Sequence, residues 1–233
     1  MLSIRNFTES VLHLLFPHVC PGCGSDLLNL KNPLCLRCTQ ALPETGYERF
    51  PDNPVEKLFR GRLPVTRASS AFYFTKQSLM QQVMHEMKYR ANRDLGLFLG
   101  RLMGDRLRRS ARFSDIDGLV PLPLHADREL KRGFNQAALL CEGISAVTGI
   151  PVFDRVIIRT EATDTQTRKG RIERWKNISG KFELIDRSGV RGTHLLLVDD
   201  VVTTGATLES CGTALLQVDA LELSIATLCY SSG

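Results

Sequence analysis

Short apolar runs alternate with segments of helical periodicity from residue 66 to the end of the chain. Runs of β-branched and apolar residues predict strands, and apolar residues spaced three or four apart predict helices. This alternation is typical of an α/β domain in which helices cover a parallel sheet and ligands bind at the carboxyl ends of the strands. The predicted strands are 68–74, 118–122, 156–158, 181–185, 194–198 and 222–229, and the predicted helices are 78–89, 93–109, 134–147 and 206–217.

The amino-terminal segment has the pattern of an amphipathic helix. Charged residues interrupt its apolar positions, so it lacks the unbroken apolar stretch of a signal peptide. No apolar run approaches the ~18 residues that a membrane span requires. We therefore expect a cytoplasmic protein with no membrane span. The apolar positions at helical spacing are Ile4, Phe7, Val11, Leu14 and Leu15.

The composition is that of a globular protein, with 43% hydrophobic and 24% charged residues in 233. The net charge of +5 fits an anionic ligand or a nucleic acid, without selecting either. Arginine and lysine crowd two stretches, 101–112 and 168–176. Plain solvated faces and phosphate contacts both explain such runs, and the two readings stay open.

Four cysteines near the amino terminus form the pattern C-x2-C-x11-C-x2-C, in the segments Cys20-Pro-Gly-Cys23 and Cys35-Leu-Arg-Cys38. Two close pairs of thiolates can point at one tetrahedral ion, and zinc is the usual ion for four sulfur ligands. Redox-active cysteines are the alternative, but a redox CxxC motif occurs singly, whereas this one is doubled. The pattern therefore predicts a structural Zn²⁺ site that is closed to substrate.

The remaining cysteines have a different setting. Cys141, Cys211 and Cys229 lie in apolar helix or strand patterns and are predicted to be core residues. The total of seven is odd, which argues against a disulfide framework and for a reducing compartment.

Prolines at positions 43, 51, 54 and 64 interrupt the stretch that follows the cysteines. No long apolar period spans it, and we interpret it as a linker. The predicted organisation is an amino-terminal helix and four-cysteine module at 1–50, a linker at 51–65 and a larger domain at 66–233.

The apolar run 195–198 suits a central strand that is buried on both faces, and it stops at Asp199 and Asp200. A turn of small residues follows and opens a helix, so backbone N–H groups and hydroxyls converge where a phosphate would bind. The two acids would oppose a phosphate unless they serve ribose hydroxyls, although acids also occur here simply as caps and turn residues. The predicted phosphate loop consists of Thr203, Thr204, Gly205, Ala206 and Thr207.

This run resembles the signature of type I phosphoribosyltransferases: an apolar strand, two acids, two apolar residues and a loop ending in Thr-Gly-x-Thr. The resemblance implies that Asp199 and Asp200 hold the ribose hydroxyls of 5-phosphoribosyl 1-diphosphate (PRPP), and that the loop holds its 5-phosphate. It also implies Mg²⁺ bridging the diphosphate. Purine-salvage members carry a third acid where this chain has Thr203, which makes a purine acceptor less favoured.

A second anion site is expected after the strand at 118–122. There a Pro-Leu-Pro loop with Pro123, then Arg128 and Arg132, precedes a helix, and we assign the diphosphate of PRPP to this region. Termination of the strand is the other reading of these prolines. The segment 159–177 corresponds to the mobile loop that covers the active site in the family, and its candidate residues are Gln166, Arg174 and Asn177.

The whole assembly resembles the ComF/GntX family of bacterial phosphoribosyltransferase-like proteins. The motifs are the cysteine module, Lys88-Tyr-Arg90, Arg132-Gly-Phe-Asn-Gln136, the spaced Gln166, Arg174 and Asn177, and the loop DDVVTTGAT. The resemblance implies a type I phosphoribosyltransferase-like parallel sheet flanked by helices, with a small amino-terminal zinc-binding module. The family is associated with natural competence, DNA uptake and use of external DNA.

Two hypotheses about function remain open. In the first, the protein is an enzyme that transfers the phosphoribosyl group of PRPP to an acceptor that the motifs do not reveal. In the second, it senses PRPP or a nucleotide without catalysis and binds single-stranded DNA or the competence machinery. No residue stands out as a general base, and aromatic residues such as Tyr73 and Trp175 are available for stacking on bases. The oligomeric state is left open.

Overall fold

The computed structural model describes residues 19–26, 32–89, 92–125, 129–130, 132–160 and 182–231. Short 3-10 turns lie at Ala111–Phe113 and Ser188–Val190. The helices are α1 (Leu36–Gln40), α2 (Pro54–Phe59), α3 (Leu79–Tyr89), α4 (Arg93–Arg109), α5 (Gln136–Thr148) and α6 (Ala206–Leu215). The strands are β1 (Arg67–Tyr73), β2 (Gly118–Pro121), β3 (Ile157–Arg159), β4 (Phe182–Leu184), β5 (His194–Val202) and β6 (Glu222–Tyr230).

Four of the strands form one parallel sheet in the order β1-β6-β5-β2. Along β5, Leu195 and Leu197 belong to the core on one face, whereas Leu196 and Val198 belong to the core on the other. Successive strand residues point to opposite faces, so this run of apolar residues is what a strand covered on both sides requires. The predicted parallel sheet flanked by helices is confirmed.

The two faces are covered by different helices. Helices α3, α4 and α5 pack on one face, and α2 and α6 pack on the other. Asparagine caps start three of these helices, because each side-chain oxygen accepts a backbone N–H of the first turn. The capping residues are Asn53 for α2, Asn92 for α4 and Asn135 for α5.

Strands β3 and β4 lie outside the parallel sheet. They pair with each other in antiparallel register, with Ile157 opposite Leu184 and Arg159 opposite Phe182. The open edge of β2 is instead met at Leu119 by an isolated parallel bridge to Val152. The hairpin arms therefore flank the segment 160–181, in which the covering loop was predicted.

The stretch 51–65, predicted as a linker, contains α2. Val55 and Phe59 are fully buried, and Asn53 Nδ2 donates to the Ala68 carbonyl oxygen at 2.9 Å. The cysteine segment also packs on the larger domain, because Cys20, Leu34 and Cys38 share one core cluster with residues of α3 and α4. The division at residues 50 and 65 stays a prediction. Among the described residues, no helix has the length and apolar character needed to cross a membrane.

Candidate functional site

Asp199 and Asp200 lie near the carboxyl end of β5, next to the loop that opens α6. The apolar run ends at Val198, but β5 continues to Val202, which pairs with Tyr230 of β6. Both acids are half-buried, and the Asp200 N–H donates to Asp199 Oδ1 at 2.7 Å. As neighbours on a strand they point to opposite faces of the sheet, so each carboxyl group meets a different set of partners.

Asp200 faces a cation from helix α3. Lys88 Nζ lies 2.7 Å from Asp200 Oδ2, and the side chains are only 22% and 15% exposed. Lys88 belongs to a family motif in the sequence but was not assigned to the site. The pairing of a helix end with a strand end distant in sequence leaves no local pattern, so sequence reasoning missed it.

Asp199 has a different electrostatic setting. Burial, with the neighbouring Asp200 carboxylate as the second cause, raises the pKa of Asp199 to about 8. The charges of Lys88 and Arg159 act in the opposite direction but do not outweigh burial. Burial thus favours the neutral form of Asp199, whereas Asp200 is paired with Lys88, so the two adjacent acids differ in their electrostatic surroundings.

The predicted phosphate loop forms a small cavity at the start of α6. Asp199 and residues 201–208 line this cavity of about 60 Å³. Gly205 has φ +74 and is buried, whereas the four other loop residues are exposed. The first turn of α6 directs its N–H groups toward this space, as expected of an anion site at a helix start. Asp200 is not among the lining residues, because it faces α3.

Helix α2 and the residues after it contact this loop and hold its backbone in place. A Cβ added to Gly205 would lie 2.8 Å from Phe59 Cε1, so glycine is required both by the backbone conformation and by the close ring. Arg62 Nη1 donates to the Thr204 carbonyl oxygen at 2.8 Å, and the same guanidinium pairs with Glu209 of α6. Both Phe59 and Arg62 lie in the predicted linker and were missed as supports of the site.

The predicted diphosphate region lies at the carboxyl end of β2. Pro123 lines a cavity of about 350 Å³ together with Asn135, Asp154 and Arg159, among others. Asn135 Nδ2 donates to the Leu122 carbonyl oxygen at 3.0 Å, which joins the end of the strand to the start of α5.

Of the other residues predicted for the diphosphate and the covering loop, the structure describes Arg132 but not the remaining four. Arg132 Nη1 donates to Gln136 Oε1 at 2.8 Å. Arg159 and Phe182, which lie on either side of residues 161–181, pair in the β3–β4 hairpin, and the Arg159 guanidinium lies 5.5 Å from the centroid of the Phe182 ring. Arg128, Gln166, Arg174 and Asn177 lie outside the described residues.

The four predicted cysteine ligands come together. Their Sγ atoms all lie within 4.8 Å of one another, and Cys23 Sγ and Cys35 Sγ are 3.7 Å apart. Tetrahedral Zn–S bonds of about 2.3 Å would place two sulfurs about 3.8 Å apart. Cys20 and Cys38 are buried whereas Cys23 is exposed. The cluster has the geometry to hold a metal ion.

Local hydrogen bonds favour thiolates at the exposed side of this cluster. Ser25, through its hydroxyl and its backbone, lowers the pKa of Cys23 to about 6, and the Cys38 N–H lowers the pKa of Cys35. Burial raises the pKa of Cys38, which therefore needs a bound cation to ionise at neutral pH. A donor set of this kind suits a metal that binds thiolates.

Two glycines shape the turn at the first pair of ligands, Cys20 and Cys23. Gly24 has φ +69, and its N–H donates to the Cys20 carbonyl oxygen at 2.8 Å. At Gly22 an added Cβ would lie 2.6 Å from Leu79 Cδ1 and 2.9 Å from Cys38 Sγ. The turn thus brings the cluster against the first residue of α3.

Comparison with known proteins identifies relatives along nearly the whole chain. The phosphoribosyl transferase domain family matches residues 136–232. The DNA utilization protein YhgH of Salmonella typhimurium is 30% identical over 214 residues, which cover 91% of this chain and 83% of that protein. Competence protein F of Haemophilus influenzae is 26% identical, covering 90% and 83%, and competence protein ComFC of Bacillus subtilis is 28% identical, covering 91% and 85%.

Proposed function

Because this chain belongs to the ComF/GntX family of phosphoribosyltransferase-like proteins, we propose that it binds PRPP at the carboxyl end of β5. One observation carries the proposal. Asp199, a loop with a left-handed glycine and the start of α6 meet around one small cavity, and Asp200 follows Asp199 on the strand, as binding of a phosphorylated ribose requires. The proposed site therefore offers acceptors for hydroxyl groups beside donors for a phosphate.

The proposed roles follow from these positions. Asp199 and Asp200 accept hydrogen bonds from the ribose hydroxyls, and the loop 203–207 with the first turn of α6 donates to the 5-phosphate. The diphosphate occupies the cavity that Pro123 lines at the end of β2, and Arg132, which precedes α5, is the cation proposed for it. Mg²⁺, when bound with PRPP, neutralises part of the diphosphate charge. The cysteine cluster holds a structural Zn²⁺ ion.

The proposed reaction is phosphoribosyl transfer to a nitrogen nucleophile. The bond between ribose C1 and the diphosphate oxygen breaks, the acceptor nitrogen bonds to C1, and its proton passes to solvent. Donors around the diphosphate promote this step by stabilising the leaving group, so a dedicated general base is not required. Thr203 stands where purine-salvage enzymes have an acid, which argues against a purine acceptor. The cytoplasm, where thiols stay reduced, is the proposed location.

PRPP binding is tested by calorimetry with Mg²⁺ on two matched variants of α6. Thr207→Val removes a hydroxyl of the phosphate loop. The control, Thr213→Val, lies further along α6 and removes an exposed hydroxyl that donates to the Glu209 carbonyl oxygen. A hydrogen bond to a charged group contributes about 1.5–3 kcal/mol, so Thr207→Val should weaken PRPP about 10- to 100-fold. Thr213→Val should bind like wild type.

Two results would count against this proposal. Absence of PRPP binding by the wild-type protein in the presence of Mg²⁺ would exclude the site. Equal binding by both threonine variants would show that the 5-phosphate does not bind at Thr207. Catalysis is tested separately, by release of diphosphate with nucleobases, amines or DNA offered as acceptors. Tight PRPP binding without release in any mixture would favour the sensing hypothesis over the enzyme.

A second candidate function is binding of single-stranded DNA. The relatives carry names that refer to DNA utilization and competence, and an aromatic cluster lies at the carboxyl ends of β1 and β6. In it the Tyr47 ring contacts Tyr73, Tyr230 and Phe50 at centroid distances of 5.7, 6.0 and 6.1 Å. Tyr73 and Phe50 are 39% and 47% exposed, which leaves ring surface for stacking on bases.

The DNA hypothesis predicts a steep loss of affinity for single strands as salt rises. Tyr73→Ala with Phe50→Ala should weaken binding, whereas Ile185→Ala, another exposed apolar position, should not. Absence of binding at about 50 mM salt, or an affinity that does not change with salt, would exclude this function.

A further inference from the structure

Lys88 lies on α3, the helix that joins the cysteine cluster to the proposed ribose site. Its Nζ is 2.7 Å from Asp200 Oδ2, and both side chains are largely buried. Two surface pairs in the same protein are longer and more exposed. Lys57 and Asp52 are 3.6 Å apart and 55% and 57% exposed, and Arg191 and Asp219 are 3.8 Å apart and more exposed still. The contact of Lys88 is thus short and shielded.

A shielded ion pair requires both of its members. Taking a lysine ammonium out of water is costly unless a carboxylate is close, and the same holds for the carboxylate. Coulomb attraction at this distance is also much stronger than at a solvated surface. Lys88 and Asp200 therefore fix each other's orientation.

The backbone that carries Lys88 is held firmly. Met80, Val83, Met84 and Met87 of α3 are all at most 3% exposed and pack into the core beneath the sheet. A lysine side chain is flexible and loses conformational entropy when it forms an ion pair. Because α3 is anchored in the core, the backbone is already fixed and this loss is smaller. The position of the ammonium group relative to Asp200 is consequently set by packing.

We propose that Lys88 is a positioning residue of the ribose site, which orients Asp200 toward a ribose hydroxyl and offsets the net negative charge of the acid pair when anionic PRPP binds. This role rests on the proposed PRPP site. Among the described residues, the charged or titratable groups facing the acid pair are Lys88 from α3, Arg159 from β3, Cys211 from α6 and Cys229 from β6. Of these four, Lys88 is the cation that touches the pair directly.

A purely structural role would have different consequences. If Lys88 only fastened α3 to β5, its loss would lower the melting temperature and leave the pH dependence of ligand affinity unchanged. If it offsets the charge of the acids, protonation of an acid at lower pH should partly replace it. The two roles are therefore separated by a pH series.

The experiment is calorimetric titration with PRPP and Mg²⁺ from pH 5.5 to 8, using Lys88→Met, Lys88→Arg and the control Lys57→Met. At pH 8 Lys88→Met should bind about 10- to 100-fold more weakly than wild type, as for loss of a charged hydrogen bond. The ratio of the Lys88→Met and wild-type dissociation constants should shrink as pH falls, and titration of PRPP itself cancels in this ratio. Lys88→Arg should recover most of the affinity, and Lys57→Met should match wild type.

The double variant Lys88→Met with Asp200→Asn shows whether the two residues act together. Its affinity should be close to that of Asp200→Asn alone, because the lysine acts through that acid. Wild-type protein that does not bind PRPP would overturn the proposed function and this role with it. Wild-type binding combined with an unaffected Lys88→Met variant, or with a ratio that stays constant with pH, would overturn the role of Lys88 alone.

Discussion

Replacement of Gly205 by alanine tests whether the phosphate loop depends on its contact with α2. Gly205 has φ +74, and an added Cβ would lie 2.8 Å from Phe59 Cε1 and 3.0 Å from Cζ. Gly192 is the matched control, since its φ is +69 and no atom lies within 4 Å of an added Cβ. Both substitutions strain the backbone, but only Gly205→Ala also displaces a buried ring.

The expected loss of unfolding free energy has two contributions, which the two variants separate. A left-handed conformation costs an L-residue about 1–2 kcal/mol, which both variants should lose. Overpacking of a buried ring adds about 1–3 kcal/mol, which Gly205→Ala alone should lose. Urea unfolding measures the two free energies, and calorimetry with PRPP measures the effect on the site. Gly205→Ala should weaken PRPP binding, whereas Gly192→Ala should not.

A second substitution locates the cause of the extra loss. Phe59→Leu shortens the ring side chain, so in the Gly205→Ala background it should cost less stability than it does in wild type. Equal unfolding free energies for Gly205→Ala and Gly192→Ala would refute the contact with Phe59. Unchanged PRPP affinity in Gly205→Ala would refute the assignment of the loop to the 5-phosphate.

Three further predictions concern the metal cluster, the acid pair and the loop support. Cys35→Ser should lose bound zinc, measured by elemental analysis, and melt at a lower temperature, whereas Cys141→Ala should keep its zinc. Asp199 keeps its proton in the folded protein up to about pH 8 but ionises near 3.8 when unfolded, so unfolding free energy should fall between these values as pH rises. Asp199→Asn should lack that fall in urea titrations at pH 5 and pH 8. Arg62→Met should weaken PRPP binding, because the Thr204 carbonyl loses its donor, whereas the exposed Arg60→Met should not.

The sequence predicted α4 over its whole length because local signals agree there. Apolar residues at helical spacing fill one side, and Asn92 caps the start by accepting the Leu95 N–H at 3.0 Å. The end of β5 was predicted too early, since an apolar run marks buried side chains, whereas a strand continues as long as its backbone pairs. Val202 still pairs with Tyr230, beyond both acids.

The start of helix α2 is marked in the sequence, but the prolines around it were interpreted as a linker. Proline clusters suggested a linker, yet Pro54 stands at the first turn of a helix, where its missing N–H has no cost, and Asn53 caps that turn. Lys88 and Arg62 are a different case. Their partners lie far away in the sequence, and only the folded sheet brings them together, so spacing rules could not indicate these contacts.

Helix α3 connects the cysteine cluster with the proposed ribose site. Leu79 at its start lies against Gly22, which also adjoins Cys38, and Lys88 in its last turn pairs with Asp200. Lys88 is nine residues beyond Leu79, and at a rise of about 1.5 Å per residue the helix spans roughly 14 Å between these two positions. Cys20 and Cys38 are buried in the same core as the methionines of α3, so a metal ion at the cluster would stabilise the packing that places Lys88. A structural metal in this position would thus support the proposed ligand site through the helix that both share.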